Sequence, residues 1–336
     1  MAAQSADFVS LGGAVGDTGP SAACLRTGGL GSGALGRGAM TQGYITLATG
    51  SRAYYDMAEN LAASIRVMDP GRLIALAHDH DAVISPAARR LFDYLIPLPK
   101  DPKYVTVTKK FQLLKLSPFN RTMFVDADCL MVKRDIDRYW AIAAKSFFTI
   151  PGNIRISGSW KGKNIADLMH QEGVDHVVEV NAGVFTFDKS ERACAFFAGL
   201  NAFYLDRKEA LVVNTHAGTR KYSDEMFFSI YMAKCGVRPW NRAESMRDSW
   251  MVTTYRSLVL HANPKRGKAL ILKPTGYLFD LPLLPTGLTC ISPTFAHFVG
   301  RKPAGVYARL SSAFRKEAFA LLDGAEVRQV PAGLPA

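Results

Sequence analysis

Apolar residues along this chain come in short runs, separated by segments where they recur every three or four positions. Tyr44-Ile45-Thr46-Leu47-Ala48 has the length of a strand, and Met57, Leu61, Ile65 and Met68 follow at helical spacing. Leu73-Ile74-Ala75-Leu76-Ala77 reads as a second strand. Ser85-Pro86 predicts a helix start, since a capping hydroxyl followed by proline suits a first turn. Tyr94-Leu95-Ile96-Pro97-Leu98 reads as a third strand, Phe111 to Leu116 as a helix, and the run ending at Val125 as a buried strand. Phe147–Ile150 and Val184–Phe187 are further strands, and Ser190 and Asp224 each precede a helical pattern. This alternation predicts an α/β fold: a mostly parallel central sheet flanked by helices. Residues 255–300, rich in Pro and Gly, read as loops and short strands.

Val306 to Leu322 predicts an amphipathic helix, with Tyr307, Leu310, Phe314, Ala318 and Leu321 on one face. Arg309, Arg315 and Lys316 lie off that face, a pattern that suits packing on the domain or on an anionic membrane surface. Residues 1–40, rich in Gly, Ala and Ser, read as a disordered leader without the basic and apolar regions of a secretory signal. The predicted organisation is leader 1–40, one domain 41–305, and a C-terminal helix and tail 306–336.

The 336 residues are 48% hydrophobic, yet no apolar run approaches the roughly 18 to 20 residues of a membrane span. The five cysteines are dispersed without a C-x-x-C spacing, which argues against a cysteine zinc site. An odd, scattered set reads as free thiols in a reducing compartment, so a cytoplasmic location is expected, with peripheral contact at the inner membrane face as an extension of it. Net charge is +12, and residues 1–40 contribute none of it. A basic domain takes anionic partners: nucleic acid, an acidic membrane surface, or a phosphorylated small molecule. No dense Lys/Arg run and no recognisable nucleic-acid motif accompanies the charge, so nucleic acid is not favoured.

The chemistry concentrates at Asp126-Ala127-Asp128, which ends the apolar run Thr122-Met123-Phe124-Val125. In an extended strand, residues i and i+2 point to the same side. Asp126 and Asp128 are therefore expected to converge on one hard divalent cation, where a buried strand meets solvent.

Four short motifs in a fixed order give the chain its resemblance to the retaining glycosyltransferases of family 8, which have the GT-A fold. Thr46-Leu47-Ala48-Thr49-Gly50-Ser51 resembles that family's nucleotide-cradling segment. Thr108-Lys109-Lys110-Phe111 precedes the Asp126-Ala127-Asp128 triplet, and Lys110 has the place of the family lysine. Val180-Asn181-Ala182-Gly183-Val184-Phe185 is similar to the strand that lines the donor sugar, and His297-Phe298-Val299-Gly300-Arg301-Lys302-Pro303 to the closing motif. The likeness spans roughly residues 43 to 303. It implies a metal-dependent hexosyltransferase using a nucleotide sugar, UDP-glucose or UDP-galactose, with an unidentified acceptor.

By that resemblance, Asp126, Asp128 and His297 hold Mn²⁺ or Mg²⁺, which offsets the charge of a diphosphate leaving group. Thr46, Thr49, Gly50, Lys110, Ala127, Asn181, Ala182, Gly183, Gly300 and Lys302 complete the donor site. Asp224 falls where the family bonds sugar hydroxyls, and Glu225 stands where it carries glutamine. With Lys110 these are the candidate catalytic residues. A carboxylate at 225 stabilises an oxocarbenium-like centre or attacks it, so double displacement and same-face exchange both stay open. The closing motif is one residue short and has Ala304 in place of tryptophan, and Gly50-Ser51 replaces the usual Asn-Asp. His261 also ends an apolar strand and competes with His297 as the metal ligand. Two other functions fit the same residues: sugar transfer to nucleic acid, and non-catalytic binding of a nucleotide sugar or polyanion.

Overall fold

Strand β1 (Gln42–Ala48) alternates its side chains between two apolar layers, with Tyr44 entering one core cluster and Ile45 the other. The computed structural model describes residues 41–214, 220–241, 249–254, 257, 259–277 and 285–324, within a compact unit that begins at Ala39. The leader 1–40 and the tail beyond residue 324 lie outside the described residues.

Helix α1 (Arg52–Met68) follows β1 and buries Met57, Leu61, Ile65 and Met68, the series read from the sequence. β2 (Leu73–His78) and β3 (Tyr94–Pro97) flank α2 (Pro86–Leu91), where Ser85 Oγ accepts the Ala88 amide at 3.0 Å. The expected helix from Phe111 is a 3₁₀ turn, Thr106–Gln112, running into the short α3 (Leu113–Leu116). β4 (Arg121–Val125) is buried throughout, and β5 (Cys129–Met131) leaves it in a new direction. α4 (Ile136–Ala143) and β6 (Phe148–Thr149) lead to β7 (Pro151–Arg155), a small hairpin of β8 (Ser159–Trp160) and β9 (Lys163–Asn164), and α5 (Ile165–Glu172). Then come β10 (Val177–Val180), β11 (Val184–Asp188) and α6 (Glu191–Arg207), whose Ser190 cap accepts the Ala193 amide. β12 (Val213–Asn214) pairs with β13 (Arg220–Lys221) ahead of α7 (Asp224–Lys234). β14 (Trp240–Asn241), β15 (Met251–Thr253), β16 (Val259–Asn263), β17 (Lys268–Tyr277), β18 (Pro285–Ile291), β19 (Phe295–His297) and α8 (Ala304–Gly324) complete the order.

The main sheet has the order β3-β2-β1-β4-β11-β6. Its first four strands are parallel; β11 runs antiparallel to them, and β6, antiparallel to β11, runs in their direction. The α/β architecture with a mostly parallel sheet is therefore present. One face is covered by α1, and α8 packs outside α1 through Tyr307, Leu310, Phe314 and Ala318. This second layer explains why α1 is buried almost all round, Glu59, Asn60 and Ser64 included. The opposite layer is aromatic, with Phe124 stacked on Phe185 at 4.8 Å and Phe148 on Phe228 at 5.6 Å.

Three local expectations change. The region 255–300 holds the ten-residue β17, paired on both sides in the sheet β16-β17-β18. Asp224 is the first residue of α7, and Ser223 takes the cap position. On α8, Leu321 is exposed, whereas Arg315 turns inward to Glu59 at 2.6 Å and Asn60 at 3.2 Å. Buried Glu59 needs a cation, which outweighs the helical spacing that set Arg315 off the packed face.

Candidate functional site

The carboxylates sit at the C-terminal edge of the parallel strands, where a chain leaving a buried strand exposes its polar groups. Asp126–Asp128 does not continue β4 as extended backbone. It forms a turn, closed by the Cys129 amide on the Asp126 carbonyl at 3.0 Å. The two aspartates are thus brought together by a turn and not by strand alternation. The reason is topological: β4 belongs to the main sheet, but β5 leaves to pair with β19, and a turn at Asp126–Asp128 makes the switch.

That switch delivers the histidine. β19 lies between β15 and β5, with His297 opposite Cys129 and Thr253. His297 Nε2 is 3.1 Å from Asp128 Oδ1, and the Phe298 amide donates to the Asp128 carbonyl at 2.9 Å. Thr254 donates both its amide and its hydroxyl to the His297 carbonyl. His261 instead stands exposed on the β16–β17 hairpin, opposite Leu270. Burial alone would lower the His297 pKa, but the hydrogen bond and charge of Asp128, with Asp126 beyond, raise it. His297 Nδ1 is buried with no hydrogen-bond partner among the described residues.

Lys110 is the hub of the acidic cluster. It is 4% exposed, and its ammonium lies 2.8 Å from Asp126, 2.7 Å from Asp224 and 3.3 Å from the Ala182 carbonyl. It also lies 4.9 Å over the Phe124 ring. Burial works against its charge, yet the two carboxylates raise its pKa. Burial pushes Asp126 up to about 6, with Lys110 opposing the rise and Asp128 adding to it. The neighbouring Lys109 turns the other way, to Asp79 at 2.9 Å.

β11 runs antiparallel to β4, with Val184 opposite Val125, so the segment just before it lies beside Asp126. The Asp126 amide donates to the Gly183 carbonyl at 2.8 Å. Asn181 folds back to accept the Gly183 amide at 3.1 Å and donates to Thr253 Oγ1 at 3.1 Å. A Cβ on Gly183 would meet Met251 Sδ at 2.9 Å and His297 Cε1 at 3.2 Å, so glycine admits the histidine. The Ala182 amide donates to Glu225 Oε1 at 3.2 Å, and Glu225 Oε2 pairs with Lys161 at the tip of the β8–β9 hairpin. Asp224 and Glu225 open α7, where the helix dipole favours negative charge.

Lys110, Asp126, Ala127, Asp128, Asn181, Ala182, Gly183, Asp224, Glu225 and His297 therefore form one contiguous cluster. The remaining predicted residues flank it. Thr46 is buried inside β1, its hydroxyl without a partner among the described residues. Thr49 and Gly50 follow that strand, and Gly50 uses a left-handed φ of 80° while its amide donates to Asp79 at 2.6 Å. Gly300, also left-handed at 62°, and Lys302 are exposed in the turn after β19. Asp79, Lys161 and Thr253 were not singled out from sequence. The signal for Asp79 was present, a carboxylate directly after an apolar strand; the Lys-Gly pair at 161–162 marks only a tight turn and does not reveal the partner of Lys161.

Asp128, Cys129 and His297 offer ligand atoms within 4.8 Å of one another. Burial pushes the Cys129 thiol well up, so its proton is held and the thiolate a soft metal needs is disfavoured. The usable donors are carboxylate oxygens and an imidazole nitrogen, a set that fits Mn²⁺ or Mg²⁺.

No protein-family model and no curated protein matches the sequence. Solved structures do. A structure of the galactosyltransferase LgtC with donor and acceptor sugar analogs is 14% identical, covering 81% of this chain and 96% of that one, with a TM-score of 0.46. The glycosyltransferase GlyE of Streptococcus pneumoniae TIGR4 is 12% identical, covering 84% of this chain and 64% of its own, with a TM-score of 0.46. Mouse xyloside xylosyltransferase 1 is 9% identical over 64% of this chain and 89% of its own, with a TM-score of 0.40. Among the described residues, no helix is long and apolar enough to cross a membrane.

Proposed function

We propose that this chain is a metal-dependent retaining glycosyltransferase of the GT-A type, moving a hexose from UDP-glucose or UDP-galactose to an acceptor. The observation that carries the reading is the Asp126–Asp128 turn, backed by buried Lys110 and faced by His297 at the C-terminal edge of a parallel sheet. The ordered motifs of the sequence support it, since residues from three of them share one cluster and the first motif flanks it.

Asp126, Asp128 and His297 would hold Mn²⁺ or Mg²⁺, which supplies Lewis-acid neutralisation of the diphosphate leaving group when bound. Lys110 keeps Asp126 and Asp224 oriented and offsets their mutual repulsion. Asn181 and the Ala182-Gly183 backbone offer hydrogen bonds to the sugar, and Gly50 and Gly300 admit the nucleotide and diphosphate close to the backbone. Lys302, exposed on a loop, reaches the phosphates as a mobile point charge. Glu225 stabilises positive charge at the anomeric carbon. The domain runs from residue 41 through α8, because the apolar stripe of α8 is spent on α1. That packing favours a core role for the helix over a membrane one.

The test is a screen of UDP-sugars for Mn²⁺-dependent hydrolysis, followed by acceptor trials. Hydrolysis of a UDP-hexose that stops with EDTA and with Asp128→Ala is the expected result. Tight UDP binding with metal, but neither hydrolysis nor transfer of any donor, would overturn the enzyme reading in favour of a binding protein.

A further inference from the structure

The loop of the β8–β9 hairpin is two residues long, Lys161 and Gly162, with φ of 50° and 76°. Successive positive φ values are the type I′ pattern, in which asparagine or glycine is favoured at the first position. A left-handed lysine is strained, and such strain persists only where the surroundings enforce it. Here the side chain crosses from the hairpin tip to Glu225, forming an ion pair with Oε2. Its ammonium also lies 5.6 Å over the Trp160 ring. The other oxygen of Glu225 accepts the Ala182 amide, so both oxygens of that carboxylate are engaged.

Glu225 lies next to Asp224, which with Asp126 already takes the charge of Lys110. A further unbalanced carboxylate in this cluster would repel an incoming diphosphate. Among the described residues, Lys161 is the cation paired with Glu225.

We propose that Lys161 is a positioning residue of this site: from the hairpin tip it fixes Glu225 and offsets its charge, so that a glutamate can serve where an anionic donor must enter. The inference rests on the transferase reading above. It also assigns the hairpin a role as a strap over the start of α7. An ordinary surface ion pair would leave turnover untouched when removed.

The test uses Lys161→Asn, Lys161→Arg, Glu225→Gln and the Lys161→Asn/Glu225→Gln pair in the full chain. Asparagine suits a left-handed φ, so the hairpin turn survives while the cation is lost. Mn²⁺-dependent hydrolysis of UDP-glucose and UDP-galactose, UDP titration and metal-free melting are measured for each. Lys161→Asn should lower kcat by about tenfold and raise the donor KM, with the melting temperature unchanged, and Lys161→Arg should restore most of the rate. In the Glu225→Gln background, Lys161→Asn should have no further effect. Wild-type kinetics in Lys161→Asn, or losses that multiply independently in the double variant, would overturn the inference while leaving the transferase reading intact. A wild-type protein that neither hydrolyses these donors nor binds UDP would overturn the transferase reading, and this inference with it.

Discussion

Replacing Lys110 with methionine removes the one ammonium shared by Asp126 and Asp224 and keeps the volume of the stem. Lys110 is 4% exposed and sits 2.8 and 2.7 Å from those carboxylates. Breaking a buried ion pair by deleting one partner costs about 3–5 kcal/mol, because an uncompensated charge is left behind. The Asp126 side chain keeps 24% exposure, so the lower half of that range applies. At roughly 2–4 °C per kcal/mol for a domain somewhat smaller than this one, the melting temperature should fall by roughly 6–16 °C. The loss should also depend on pH. Burial pushes the Asp126 carboxyl up to about 6 from the usual 3.8, and Lys110 is the larger of the two charges, with His297, that oppose the rise. Without Lys110 its pKa rises further. A carboxyl whose folded pKa exceeds its unfolded value takes up a proton on folding, so it favours the folded state as pH falls. The deficit of Lys110→Met should therefore be largest at pH 8 and shrink as pH drops through 6 toward 5. Urea or thermal unfolding in EDTA at pH 8, 7, 6 and 5 reads this directly. A deficit under about 1 kcal/mol at pH 8, or one constant across the range, would refute the shared-counter-ion account.

Asp128→Ala should abolish donor hydrolysis yet cost about 1 kcal/mol or less of metal-free stability, since only the His297 hydrogen bond is lost; retained turnover in saturating donor would sink the metal assignment. His297→Ala should lose Mn²⁺ affinity in the presence of UDP while His261→Ala keeps it, and isothermal titration showing the reverse would reject β19 as the ligand strand. Phe314→Ala, at a fully buried position of α8, should cost about 3–5 kcal/mol by denaturant titration. Wild-type stability in that variant, combined with lost co-sedimentation on anionic liposomes, would return α8 to the membrane.

The main sheet was legible because its strands are short, apolar and punctuated, and α1 because the spacing of Met57, Leu61, Ile65 and Met68 holds over about three turns. β17 was not, since Pro274 and Gly276 break the strand pattern where its register shifts. The site was half legible. Identity and order pointed to Asp126, Asp128, Asn181 and Glu225, but the turn joining the two aspartates depends on β5 changing sheets, which no local pattern encodes. In the sequence His297 and His261 each follow a short apolar run, and the closing motif favours His297; in the structure His297 ends β19 beside β5, whereas His261 lies midway along β16. Lys161 was invisible for the same reason: its partner is on a distant helix, and a Lys-Gly turn on its own is only a turn.

The charges of the cluster explain why the residues are collected in this way. Asp126, Asp128, Asp224 and Glu225 are gathered around Lys110 and Lys161, with His297 titrating beside them. Even a protonated His297 leaves this group short of positive charge, within a chain whose net charge is +12. Folding places it at a strand edge where Asp126 and Asp128 remain about a quarter exposed and reachable from solvent. A site built only to hold the fold together would balance its charges internally, because each unpaired buried carboxylate costs stability. On the proposed reading a deficit suits the site: Asp126 and Asp128 would attract a cation, whose charge would offset that of an incoming diphosphate. The deficit also ranks the lysines. Lys110 is too deeply paired to move, Lys161 is committed to Glu225, and Lys302 remains exposed on its loop. Swapping the acidic surplus for neutrality, as in Asp126→Asn, should then stabilise the metal-free protein at pH 8 while removing metal binding, the signature of groups kept for function at the expense of the fold.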